Sequence, residues 1–239
     1  MTTFGLVHGH WHGAWCWDRL VPELESRAHR AVAMDLPCET LDAGCARNAD
    51  VVRAAIADCG EDVVLVGHSA GGLTIPLVAQ ARSVRRLIFI AALLPLPGRS
   101  LAAQFEADPE IIHPDFTYVD NGDGFCSIDP ALASGYFYND CTGADAAWAT
   151  TRLRRQTTTT ITETSPLTAW PDVPCSYLVT GQDRVIGSGW QRRAARERIA
   201  ADVVELADSG HSPFLSRPGE LADVLGHIAA DGTGKRGRN

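Results

Sequence analysis

The sequence predicts an α/β fold: a doubly wound, mostly parallel sheet of about six strands, with helices on both faces and one long insertion. Two patterns carry that prediction. Apolar runs recur at residues 4–7, 31–34, 63–66, 87–92, 176–179 and 203–206, and they are continuous rather than alternating, as in strands buried on both faces. Segments with helical spacing at 17–26, 48–59, 72–81, 189–199 and 218–230 separate or follow these runs. Such strand-helix alternation implies parallel strands joined by crossovers.

From about residue 95 to 171 no strong buried-strand signal is found, but many aromatic residues, prolines and the threonine run 157–160. A long insertion inside a compact fold is usually functional, so a helical cap over a site is expected there. Residues 231–239 are glycine, charged and polar with nothing to bury, which predicts a flexible tail. At 239 residues, one domain carrying a cap is the expected organisation.

Composition narrows the partners. Apolar residues make up 45% and charged residues 21%, enough for a sizeable core. A formal charge of -8 repels phosphate backbones and anionic lipid, so neither nucleic acid nor a membrane surface is expected. The seven cysteines are odd in number and include no C-x-x-C pair, so reduced thiols in a cytoplasmic protein are expected. No leader pattern or apolar stretch near the roughly 20 residues of a spanning helix is seen. A homodimer stays open.

The strongest local signal is Gly67-His68-Ser69-Ala70-Gly71, directly after an apolar run and directly before a helical segment. In that context G-x-S-x-G is a sharp strand-to-helix turn that presents a serine oxygen above the sheet edge. An incidental serine in a glycine-rich turn is the bland alternative, and the placement argues against it. A serine hydroxyl is a weak nucleophile without a base. Of eight histidines, His211 follows the last apolar run in Asp208-Ser209-Gly210-His211 and precedes the last helix. Asp183 follows the run at 176–179 within Thr180-Gly181-Gln182-Asp183, which completes the order serine, acid, base. Asp172 and Asp208 are weaker candidates for the acid, and Asp208 stays open.

Acyl-transfer chemistry also needs backbone N–H donors for an oxyanion, and here these would be His10 and Ala70. The loop His8-Gly9-His10-Trp11-His12-Gly13 has glycines that allow close backbone approach. Its alternating histidines invite a metal reading, but metallo-hydrolase loops of H-x-H-x-D-H type place an aspartate among the histidines, and this loop has none, with Trp11 among them instead. No metal and no other cofactor are expected; His8 and His12 fit a structural role with ring nitrogens bonded to backbone.

With these residues in place a resemblance becomes specific. The chain resembles the α/β-hydrolase group of plant methylesterases and hydroxynitrile lyases and its bacterial relatives. The carriers are Leu6-Val7-His8-Gly9 running into His12-Gly13-Ala14-Trp15 and Trp17, then Asp35-Leu36-Pro37, Gly67 to Gly72, Asp183 and His211. The resemblance implies an α/β-hydrolase fold and a serine carboxylesterase with Ser69, His211 and Asp183 as the triad. Lyases of the group carry a threonine in the oxyanion loop and a lysine after the catalytic histidine, where this chain has Gly9 and Ser212. The esterase branch is therefore expected.

The expected activity is hydrolysis of a small, moderately apolar ester through an acyl-enzyme. Expected pocket residues are Gly9, Trp11, His12 and His68, with Phe105, Phe125, Tyr136, Phe137, Tyr138 and Trp148 from the cap. Thioesterase, lyase or cyclase chemistry on the same triad, or a non-catalytic ligand-binding protein of this fold, are the alternatives.

Overall fold

The computed structural model describes residues 1–231. Its strands in chain order are β1 (Thr3–Val7), β2 (Arg30–Ala33), β3 (Val63–His68), β4 (Arg86–Ile90), β5 (Val119–Asp120), β6 (Phe125–Ser127), β7 (Gln156–Thr157), β8 (Cys175–Thr180) and β9 (Asp202–Leu206). Each of the six apolar runs becomes a strand of one sheet, in the order β2-β1-β3-β4-β8-β9, and every pairing is parallel. The central strands β3 and β4 are buried at every position. At the edges, β2 and β9 keep mostly partly exposed residues. Continuous hydrophobicity in the middle of the sheet follows from helices on both faces.

The chain steps outward from β1 to β2 and then returns past β1 to β3, whose register sets Val7 beside Gly67. In open α/β sheets that reversal opens a crevice at the carboxyl ends of the two strands, where ligands bind. Both the His8–Gly13 loop and the Ser69 turn leave the sheet there.

The helices are α1 (Leu20–Ser26), α2 (Cys45–Ala55), α3 (Ile75–Ala81), α4 (Leu101–Ala107), α5 (Pro130–Phe137), α6 (Gly143–Thr150), α7 (Thr159–Thr162), α8 (Ser188–Ile199), α9 (Pro213–Ser216) and α10 (Pro218–Asp231). α1 packs with α10 and α2 with α3, while α8 lies on β8 and β9. Fully buried Phe4, Trp17, Phe89 and Phe214 each contribute about 1.5–3 kcal/mol by leaving water. No helix among the described residues is long and apolar enough to cross a membrane. All seven cysteines are free thiols.

Helix starts differ from the sequence expectation for reasons outside the local pattern. α2 begins at Cys45 rather than residue 48 because Glu163, distant in sequence, accepts the Cys45 N–H at 2.5 Å. The first expected helix opens as a separate 3-10 turn at Ala14–Trp17, with α1 starting at Leu20. A 3-10 turn at Ser69–Leu73 likewise precedes α3. Asp231, placed in the expected tail, ends α10; the rest of that tail lies outside the described residues.

The chain between β4 and β8 holds α4 to α7 and a small antiparallel sheet of β5, β6 and β7. These strands have two or three residues each, too short for an apolar run to register. Side-chain caps set its helices: Ser100 accepts from Ala103 N, Asp129 from Ala131 N and Thr142 from Asp145 N, relieving amide groups that a helix start leaves unpaired.

Candidate active site

Ser69 directly follows β3 with φ +51, a left-handed conformation that non-glycine residues adopt only where surroundings impose it. The neighbours explain how. A side chain on Gly71 would put its Cβ 2.5 Å from the Val7 carbonyl oxygen, and one on Gly9 would stand 2.6 Å from Ser69 Cβ and 3.2 Å from its Oγ. The turn and the first loop therefore approach at backbone distance, and only glycine permits it. The Ser69 carbonyl accepts from Leu93 N at 3.0 Å, tying the turn to the end of β4. Its hydroxyl has no hydrogen-bond partner among the described residues, and Ser69 lines a cavity.

Asp183 sits in the loop after β8, its side chain fully buried and surrounded by donors. Its Oδ1 accepts from Val185 N at 2.8 Å and Ile186 N at 3.0 Å, and its Oδ2 from Thr180 Oγ1 and Gln191 Nε2, both at 2.9 Å. His211, in the loop after β9, donates Nδ1–H to the same carboxylate at 2.9 Å. Asp208 and Asp172 are exposed, so the pairing falls to Asp183.

The loop of His211 is seated on the serine turn through His68. His68 Nε2–H donates to the His211 carbonyl at 3.0 Å, and the two rings lie 4.6 Å apart. Burial drives the His68 pKa well below its ordinary value, leaving it neutral. His68, the residue before Ser69, thus joins the loop of His211 to the serine turn.

The three histidines of the first loop are also neutral, held down mainly by loss of solvent: His8 to about 4, His10 and His12 to about 3. His8 Nε2 accepts from Leu36 N at 2.9 Å, so Nδ1 carries the proton and donates to Gly9 O at 2.8 Å. His12 Nδ1–H donates to His10 O at 2.8 Å, and its Nε2 accepts from the Tyr138 hydroxyl at 3.0 Å. Both rings are structural struts. The N–H groups of His10, which lines the same cavity as Ser69, and of Ala70, the residue after Ser69, are engaged by no hydrogen bond among the described residues.

A cavity of about 490 Å³ opens from Ser69, walled by Leu93, Leu101, Phe105, Ile112, Phe116 and Val185 among others. Of the ten expected pocket residues, Trp11 and Phe105 line it. The others do not. Gly9 abuts Ser69 at backbone distance, while His12, His68, Phe137 and Tyr138 form a buried aromatic cluster. Tyr136 turns its hydroxyl to Asp115 O, Phe125 lies under Arg155, and Trp148 packs between Trp15 and Arg152. The aliphatic wall residues were missed because nothing distinguishes a cavity-facing leucine from a core leucine in sequence. His113 and Tyr118, also in the wall, gave no motif.

Residues 6–224 match the alpha/beta hydrolase family. The probable esterase PIR7A of Oryza sativa subsp. indica is 32% identical over 259 residues, spanning 95% of this chain and 96% of its own length. Methylesterase 7 of Arabidopsis thaliana is 27% identical, with 95% of each chain covered. Among solved structures, polyneuridine aldehyde esterase shares the fold with a TM-score of 0.80 at 23% identity, covering 96% of this chain and 99% of that one. This chain belongs to the alpha/beta hydrolase family, in its methylesterase-like group of carboxylesterase-type hydrolases.

Proposed function

We propose that the protein hydrolyses small, uncharged, apolar carboxylic esters through an acyl-enzyme on Ser69. The observation that carries this reading is the buried His211–Asp183 pair, whose loop is hydrogen-bonded to His68, the residue directly before a strained serine. Ser69 Oγ attacks the carbonyl carbon as its proton passes to His211. The ester C–O bond then breaks as the leaving oxygen takes that proton and departs as the alcohol. A water that gives its proton to His211 attacks the acyl-serine, releasing the acid as Ser69 regains the proton. Asp183 holds the imidazole in the tautomer whose Nε2 is free to accept, and stabilises the cation formed in each step. The unengaged N–H groups of His10 and Ala70 serve the tetrahedral oxyanion.

The cavity supports the substrate class. Among the described residues no lysine, arginine, aspartate or glutamate lines it, so an ionised acyl or alcohol group would lose its hydration with none of those side chains to replace it. The insertion at residues 95–171 acts as the cap, since Leu101, Phe105, Ile112, Phe116 and Ile161 come from it.

The test is turnover of a chromogenic short-chain ester by wild type and Ser69→Ala. Loss of kcat on the order of 10⁴–10⁶ is expected. Equal turnover by the two proteins would refute the mechanism.

A further inference from the structure

His10, whose N–H is assigned above to the oxyanion, is held by a segment far along the chain. Its Nε2 and the Thr160 hydroxyl share a hydrogen bond of 2.9 Å. The next residue, Trp11, has φ +61, which a bulky side chain keeps only when its peptide groups are externally fixed. Both are fixed by the same segment: Trp11 O accepts from Arg154 N at 2.7 Å, and Trp11 N donates to Gln156 Oε1 at 3.4 Å.

That segment is anchored on its other side. Thr157 N donates to Cys38 O at 2.7 Å, and the Thr157 and Thr159 hydroxyls donate to Leu41 O at 2.8 and 2.6 Å. Gln156 and Thr160 are 3% and 4% exposed, so water does not compete for these bonds. Residues 154–160 form a brace between the loop at 38–41 and the loop at 10–11. The brace also reaches the cavity, because Ile161 is in its wall.

We propose that Thr160 and Gln156 are positioning residues that hold the His10 N–H where negative charge develops on the substrate. This rests on the reading of Ser69 as nucleophile. A preorganised donor costs nothing to reorient during reaction, so freeing the loop weakens transition-state binding more than ground-state binding. His10 stays neutral through loss of solvent, and its bond to Thr160 therefore persists across the working pH range.

The test compares Thr160→Val, Thr160→Ser, His10→Ala and the Thr160→Val/His10→Ala pair, using a p-nitrophenyl ester and a trifluoromethyl ketone as transition-state mimic. Thr160→Val is expected to lower kcat roughly 10- to 100-fold, less than deletion of a whole donor. Its KM should hold within about twofold while ketone affinity falls in step with kcat. Thr160→Ser should restore most of the rate, and the paired variant should be no slower than His10→Ala alone, since both remove one shared bond. Wild-type turnover by Thr160→Val, a loss confined to KM, failure of serine to rescue, or additive losses would each overturn the proposal. Should Thr160→Val not fold, Gln156→Met takes its place: a matching fall in kcat and ketone affinity at constant KM supports the brace, and wild-type turnover or a loss confined to KM overturns it. Inactive Ser69→Ala beside fully active brace variants would sink the brace alone, whereas active Ser69→Ala would sink the reading beneath it.

Discussion

His211 and Asp183, 28 positions apart in the chain, share a hydrogen bond in complete burial: Nδ1–H reaches both carboxylate oxygens, at 3.0 and 2.9 Å, with the side chains 1% and 0% exposed. The carboxylate is surrounded by five donors, two of them backbone N–H groups. A buried charge is tolerable only when it is so fully bonded.

Asp183→Asn keeps the shape and removes the charge, and one amide nitrogen must then face a donor. We expect kcat to fall on the order of 10⁴, as when a triad acid loses its ability to fix the base tautomer. Asp208→Asn should leave turnover unchanged, because Asp208 is exposed and bonds Arg217 through its carbonyl. Steady-state kinetics of both variants decides; an active Asp183→Asn or a dead Asp208→Asn reverses the assignment of the acid.

The buried histidines make stability depend on pH. His8, His10 and His12 have folded values of about 4, 3 and 3 against an ordinary 6.5. Between those limits the unfolded chain binds more protons than the native one, so stability rises with pH. The full contribution is present above pH 6.5 and is lost as pH falls toward 3, at about 1 kcal/mol per unit for each ring fully in the window. Urea midpoints from pH 8 to 4 should fall steadily below 6.5; a flat profile would contradict the neutral, buried assignment.

Gly71→Ala should destabilise the protein by about 1–3 kcal/mol, the usual cost of forcing atoms into a packed site. The added Cβ would lie 2.5 Å from the Val7 carbonyl oxygen, so β1 and the serine turn must separate. Denaturant unfolding measures the cost, and activity should fall as well. A variant as stable and as active as wild type would show that the two backbones are not in contact.

Filling the cavity separates substrates by size. Ile161→Trp adds bulk to a wall of the 490 Å³ space, so kcat/KM for a bulky aryl or long acyl ester should fall about 10-fold or more. An acetyl ester should be nearly unaffected. Equal effects on both esters would mean the substrate binds elsewhere.

Much of this molecule is legible in its residues. All six strands of the main sheet follow from runs that must be apolar because helices cover both faces. The Ser69 turn follows from glycines that no other residue could replace. The partner of His211 is not legible to the same degree: Asp183 and Asp208 both follow strands, and only the folded loop turns one carboxylate inward and leaves the other in water. The expected pocket is largely misplaced for the same reason. Trp148 and Phe125 pack under arginines, while Leu93, Ile112 and Val185 wall the cavity.

The sequence by itself determined the strands of the sheet, the serine turn and the candidate histidine, because periodicity and glycine placement are local demands. Tertiary structure alone decided the start of α2 at Glu163's carboxylate, the brace of Thr160 and Gln156 on the first loop, and the walls of the cavity. Each of those joins residues more than a hundred positions apart or turns on which way a side chain faces. A hydrogen bond between distant segments leaves no periodic trace in either one.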